Sequence, residues 1–313
     1  VHNKGTDTAT LGYNLPVNSN GTRLSLSYAD MDYEVITAAG IGSGLKGAST
    51  TKTIGLSHPI KRARMENVRI SAGYSDQESK DDSTLGLLKH KERRTGSITL
   101  SGDRLDKYQG GGLTTWNLGL TSGDLDLKLA ADASADAAAY KVAGTYSKTT
   151  YGLARLQKLV GNYSLYGAWK GQRAHTNLDG SEQFSLGGPE NIRAYPGGEA
   201  GGDNGDLFNA ELRYDWPKPT DLGVLQLKGF FDAGNIELHK DMMGNANSTL
   251  TGENNYWIKG WGLGLTLTEQ KEYMLKATWA AKLGDNPGRD SNGMDADGHN
   301  DHSRIWAQFM VWF

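Results

Sequence analysis

From Phe208 to Trp216 apolar and polar residues alternate without a break. Phe208, Ala210, Leu212, Tyr214 and Trp216 take one face of an extended chain, and Asn209, Glu211, Arg213 and Asp215 take the other. Successive side chains of a strand point to opposite faces, so this pattern reads as strand and not helix. The same period recurs near 7–15, 22–34, 51–58, 66–77, 86–104, 112–122, 138–148, 161–173, 205–216, 223–236, 255–268, 272–283 and 303–313. That makes about 13 strands, with helical periodicity hard to find between them.

One strand does not say what its apolar face meets. A soluble sandwich buries that face in a core; a membrane barrel turns it to lipid and the polar face to a lumen. The whole set decides. Several strands exceed the five or six residues usual in soluble sheets and suit spans of about 9–11 residues tilted across a bilayer. Aromatics gather near strand ends, at Tyr214, Trp216, Tyr273, Trp306, Trp312 and Phe313, as in interfacial girdles. Connections near 16–20, 217–222 and 269–271 are short, while those near 35–50, 78–85, 174–204, 237–254 and 284–302 are longer, polar and glycine-rich. Short turns on one side and long loops on the other describe an outer-membrane barrel. No apolar run reaches the roughly eighteen residues a membrane helix needs. The expected fold is an all-β, antiparallel transmembrane β-barrel over 1–313. Its last segment puts Ile305, Ala307, Phe309, Val311 and Phe313 on one face and ends on an aromatic. This resembles the C-terminal signal read by the barrel-assembly machinery, which would place the short turns in the periplasm.

The net charge of −3 offers no case for a nucleic-acid partner, and the absence of cysteine excludes disulfides and thiolate metal sites. Residues 40–47 (Gly-Ile-Gly-Ser-Gly-Leu-Lys-Gly) look superficially like a phosphate loop, but they lack the Gly-Lys-Ser/Thr ending and precede a strand. They read as a surface loop. The acidic stretch 285–301 carries Asp295, Asp297 and Asp301 at spacings that could suit calcium, without the terminal glutamate of an EF-hand. It reads as a solvated loop. His299 and His302 have no third placed ligand. Neither Gly-x-Ser-x-Gly nor His-Glu-x-x-His occurs. No enzyme activity, cofactor or metal is expected.

The longest glycine-rich passage, 183–205, lies between two alternating segments and contains one arginine, Arg193. A long ordered loop is usually functional. Its residues Leu186-Gly187-Gly188, Ile192-Arg193-Ala194-Tyr195, Gly198-Glu199 and Gly202-Asp203-Asn204-Gly205 resemble the lid loop of two-partner secretion transporters, the TpsB family of haemolysin and filamentous-adhesin secretion proteins. Gln172 and Ser181-Glu182-Gln183-Phe184 match upstream. Downstream, Phe230-Phe231-Asp232-Ala233-Gly234 is similar to the Phe-x-Asp-x-Gly wall motif of the larger superfamily. The resemblance runs from the first strand to Phe313 and implies a lid loop over 174–204. Within 223–236, Leu225, Leu227, Phe231 and Ala233 fall on the lipid face, leaving Gln226, Lys228, Phe230, Asp232 and Gly234 for the lumen beside Asn209, Glu211 and Arg213. A guanidinium grips a carboxylate through two parallel hydrogen bonds, so Arg193 is expected to pair with Asp232, with Gly234 leaving room for close backbone approach. Where the family has glycine this chain has Ala194, which a position needing positive φ would penalise.

The resemblance implies a pore that exports one large partner exoprotein across the outer membrane of a Gram-negative bacterium without nucleotide hydrolysis. It also implies a monomer among outer-membrane lipids, inserted by the barrel-assembly machinery. The family barrel has about sixteen strands, preceded by POTRA domains. The chain is therefore expected to be an N-terminally incomplete piece lacking POTRA domains and first strands. The competing readings are a barrel-assembly insertase of the same superfamily, an outer-membrane enzyme and a passive porin.

Overall fold

The computed structural model describes residues 2–3, 5–35, 44–220, 222–242, 249–269 and 272–312. Outside them lie 40–43 of the glycine run, 243–248 of the connection after residue 237, 270–271, and Phe313 of the C-terminal signal. In chain order the strands are β1 (His2–Asn3), β2 (Thr6–Pro16), β3 (Arg23–Glu34), β4 (Lys46–Arg62), β5 (Glu66–Ser83), β6 (Gly86–Asp106), β7 (Gly112–Leu127), β8 (Gly144–Lys158) and β9 (Tyr163–Ala174). They continue as β10 (Phe184–Leu186), β11 (Ala200–Gly202), β12 (Asn204–Asp215), β13 (Val224–Glu237), β14 (Asn255–Glu269), β15 (Tyr273–Leu283) and β16 (Ser303–Val311). A short helix, α1 (Ala130–Ala138), precedes β8.

Hydrogen bonding follows sequence order through a 14-stranded sheet, except that β9 pairs directly with β12. The intervening segment forms its own hairpin, in which Phe184 pairs with Gly202 and Leu186 with Ala200. Pairing is antiparallel from β2 through β5 and from β9 and β12 through β16.

Contacts divide the chain into two compact units. In the first (Val1–Gly102, Leu118–Thr149 and Ala174–Asp179), one face of the sheet carries Leu26, Tyr28, Ile54, Leu56, Ile70 and Tyr74, all exposed. The opposite face carries small and polar side chains, with Thr53 bonded to Ser75 and Gln77 to Ser49. Water does not tolerate a continuous band of this size, whereas lipid solvates it. In the second unit (Asp103–Asn117, Thr150–Arg173 and Gly180–Phe313), Phe208, Leu212, Phe231, Trp257, Trp261 and Leu263 are likewise exposed on one face. The ring of Phe208 stacks between Trp169 and Trp257, and Tyr214 sits between Tyr163 and Trp216. The larger buried cluster is in the second unit, between the β10–β11 hairpin and the large sheet. It lies where Leu186, Ile192, Ala194, Tyr195 and Ala200 pack on Leu207, Phe230, Ile236, Tyr256, Ile258 and Ala280.

Three expectations are corrected. The strand expected at 138–148 is instead the end of α1, a turn, and then β8 from Gly144. The run from Ala130 to Ala138 is rich in alanine, the strongest helix former, and the Asp136 carboxylate closes the turn by accepting from the amides of Val142 and Ala143, each at 2.9 Å. The long loop expected at 78–85 is a tight hairpin, because β5 continues to Ser83 and β6 starts at Gly86. The loop expected at 35–50 is shorter, since β4 begins at Lys46. Strands β4, β5 and β6 run for 17, 18 and 21 residues, beyond the roughly 9–11 that cross a bilayer. Their excess is polar, as in Gln77-Glu78-Ser79-Lys80-Asp81-Asp82. Polarity there reports that the strand has left the lipid, not that it has ended.

Candidate functional site

Arg193 enters the polar face of β12 and β13 and is nearly sealed there, its side chain 6% exposed. Nε donates to Asp232 Oδ2 at 2.8 Å and Nη2 to Oδ1 at 2.6 Å, the two-pronged grip that a guanidinium offers a carboxylate. The backbone N–H of Arg193 also donates to Oδ2 at 3.1 Å, and the Asn209 amide donates to Oδ1 at 2.8 Å. Asp232 therefore accepts four bonds while fully buried. Nη1 donates to Glu211 Oε1 at 2.5 Å, and the guanidinium carbon lies 3.5 Å from the centre of the Phe230 ring. Glu211 meets two further cations, Arg213 at 2.6 Å and Lys228 at 3.3 Å. Three cations thus face two carboxylates, which offsets the cost of removing each charge from water.

Register brings these groups together. Asn209 is directly opposite Asp232 and Glu211 is opposite Phe230 on the neighbouring strand. Asn209, Glu211 and Arg213 follow one another on one face of β12. The segment that delivers Arg193 is held along its length. Trp306 Nε1 donates to the Arg193 carbonyl at 2.7 Å, Asn209 to the Asn191 carbonyl at 2.8 Å, and Lys170 to Asn191 Oδ1 at 2.7 Å. A turn from Ile192 to Tyr195 is closed by a 3.1 Å backbone bond. Tyr195 is fully buried, with the Lys282 ammonium 5.1 Å from its ring centre. Trp306, expected in an interfacial girdle, faces the other way, because its position in β16 has the parity of the polar face.

Ala194 lies outside the left-handed region, so the penalty that a positive φ would put on alanine does not arise. Its methyl packs on Gly260, where an added Cβ would sit 2.5 Å away. Gly234 lies under Ile192 and Leu186, whose methyls would be 2.7 and 2.8 Å from a Cβ there. Gly202 and Gly205 are closed in by Glu237 O and the Phe184 ring, at 2.4 Å each from an added Cβ. Asp203 is buried and accepts from the Lys240 amide at 2.9 Å and the Gln183 amide group at 3.0 Å. Gly198 has φ +73 and open space around it.

Glu199 leads elsewhere. Its carboxylate accepts from the backbone N–H of Ala296 at 2.9 Å and from the Asn286 side chain, both in the 284–302 connection. Burial, reinforced by the nearby Asp295, holds this carboxyl above its ordinary range against the opposing bonds from Ala296 and Asn286. Asp295 is itself buried and paired with Lys282, with Arg289 and Arg304 each at 3.6 Å, while Asp297 meets Arg304 at 2.7 Å. These acids are engaged by cationic side chains, the role a calcium ion would otherwise take. Among the described residues one cluster has ligand-like spacing, Glu78, His90 and Glu92. Lys80 and Lys128 already bind its two carboxylates at 2.5 and 2.8 Å.

Of the remaining candidates, Gln226 bonds Asp215 at 2.7 Å. Phe309 and Val311 are exposed on the apolar face of β16, with Phe309 6.1 Å from the Tyr273 ring.

A family model described as "Haemolysin secretion/activation protein ShlB/FhaC/HecB" matches residues 1–267. The chain is 22% identical over 307 residues to the heme/hemopexin transporter protein HuxB of Haemophilus influenzae, covering 97% of this chain and 51% of that protein. It is 26% identical over 198 residues to the outer membrane transporter CdiB of Dickeya dadantii, covering 62% of this chain and 34% of that protein. Its fold is similar to the solved structure of CdiB from Escherichia coli, with a TM-score of 0.72 at 18% identity over 97% of this chain and 53% of that one. The chain spans about half the length of HuxB.

Proposed function

The chain belongs to the haemolysin secretion/activation family ShlB/FhaC/HecB, whose members are outer-membrane β-barrel transporters and not enzymes, and from that premise we propose that it is the barrel region of a two-partner secretion pore. The pore exports one large partner exoprotein, unfolded or partly folded, across the outer membrane of a Gram-negative bacterium. The observation that carries this reading is the seat of Arg193: the glycine-rich stretch 184–202, within the lid loop expected over 174–204, packs on the polar face of β12 and β13 and is fastened to two carboxylates of that face. Such a segment is a lid. It fills the lumen at rest and makes room during export.

The lumen wall presents Asn209, Glu211, Arg213, Gln226 and Lys228 and gives a sliding chain no long apolar patch to adhere to. Direction comes from folding of the cargo outside, without nucleotide hydrolysis. The transporter works as a monomer in outer-membrane lipid, after insertion by the barrel-assembly machinery through the signal that includes Phe309, Val311 and Phe313.

Deleting the gene tests the reading against its nearest rival. Quantifying exoproteins in the medium and barrels in the outer membrane should show loss of one large exoprotein with the other barrels at normal levels. A general fall in barrel levels would instead assign the chain to the insertase branch.

A further inference from the structure

Two separate fastenings hold the lid. The first is Arg193 on the wall. The second is a few residues further along the same segment, where Glu199 is tied to the connection between β15 and β16. Asn286 and Ala296, ten residues apart in that connection, converge on the two oxygens of one carboxylate. The connection is itself anchored: Asp295 sits among Lys282, Arg289 and Arg304, and Gly288 lies against the Tyr256 hydroxyl, 2.3 Å from where its Cβ would be. Glu199 is only 6% exposed and Asn286 5%. A surface loop has no need to bury an acid and an amide in order to stay folded. Here they are the groups that join the loop to the lid.

We propose that the 284–302 connection is a latch on the lid, closed through Glu199, and that the pore opens only when this contact parts. The inference rests on the lid reading above. In it, the Arg193 anchor fixes where the lid sits and the latch fixes when it leaves. The latch is the easier of the two to release. It is made of neutral donors on a single carboxylate, while the anchor is a charge cluster closed on every side. A partner arriving at the mouth of the pore first displaces the amide and the N–H from Glu199, and the Arg193 anchor parts after it.

The 313 residues contain no cysteine, and with any thiol elsewhere in the complete transporter replaced by serine a reversible lock can be built. Glu199 and Asn286 meet through the terminal atoms of their side chains, so a bridging reagent is used in place of a direct disulfide. Glu199→Cys with Asn286→Cys in the complete transporter is bridged with a short reducible bis-methanethiosulfonate reagent, with each single variant as control. Two readings are taken: ion conductance in planar bilayers and partner release into the medium. The reduced pair should open more often than the native protein, and the bridged pair should fall to background in both readings and recover with reductant. Bridged protein that opens and exports like the reduced form overturns the latch. Conductance that follows the bridge while neither form exports any exoprotein upholds the latch and removes the secretion reading. Should the pair not assemble, Asn286→Ala serves alone. Loss of a hydrogen bond to a charged group should raise opening about tenfold, and native-level opening overturns the proposal.

Discussion

Arg193→Ala is expected to release the lid, exposing 174–204 to protease in intact cells and reducing export to a small fraction of the native level. The substitution removes a side chain that reaches both acids. Asp232 keeps Asn209, but it loses two guanidinium bonds while remaining buried, and Glu211 loses its shortest contact. Breaking a buried pair by removing one partner costs roughly 3–5 kcal/mol, because the other charge stays behind without compensation. Asp232→Ala should be nearly as severe, since it strands Arg193 against Phe230 with only Glu211 to balance it. Arg193→Lys should fall between. An ammonium supplies charge but not a planar fork, so it cannot hold both oxygens of Asp232 and also reach Glu211. Measuring lid cleavage beside export separates seating from transport. Native cleavage and native export in both alanine variants would remove the anchor from the account.

Gly260→Ala is the second large effect. The new methyl would lie 2.5 Å from the Ala194 methyl and 3.1 Å from the Ala281 carbonyl. Neither neighbour can swing aside, since one is a methyl fixed to the lid backbone and the other is backbone within a paired strand. Overpacking of this kind costs about 1–3 kcal/mol, and here it pushes the residue next to Arg193 off its wall. The position also explains why Ala194 is tolerated. The lid needs one small contact between 194 and 260, and in this chain the methyl sits on the lid and the gap on the wall. Ala194→Gly with Gly260→Ala moves the methyl across the interface and should restore seating. In a double-mutant cycle on lid protease sensitivity, the pair should recover most of the single-variant loss. Additive losses would mean the two residues do not share a contact in the folded protein.

Much of this was legible in the residues. The alternation at Phe208 to Trp216 placed Asn209, Glu211 and Arg213 on one face, and β12 has that face turned to the lid. Parity alone put Asp232 on the lumen face, and the resemblance to the lid-loop and wall motifs supplied Arg193 as its expected partner. What was not legible depended on pairing between distant segments. Glu211 reads as one more polar wall residue until the register puts it across from Phe230 and within reach of Arg193. Trp306 reads as a girdle aromatic, because aromatics at strand ends usually are; its contact with the Arg193 carbonyl spans 113 positions. The partner of Glu199 lies in a connection whose acids look solvated in sequence, yet Asp295 is among the most deeply buried polar groups. The missed strand ends have a different origin. Alternation fades once both faces of a strand meet water, so the polar ends of β4 to β6 gave no signal that pairing continued.

Passage of cargo along the polar face of this sheet, as proposed, can be tested at adjacent positions on β13. Gln226 and Leu227 point to opposite faces of the strand, with Leu227 exposed on the apolar side. A photo-crosslinking residue is placed at each in turn, and a partner exoprotein is stalled in transit by a folded C-terminal domain. Crosslinks to the stalled partner are expected from position 226 and none above background from position 227. Equal labelling from the two positions, or labelling from 227 alone, would contradict passage through the lumen.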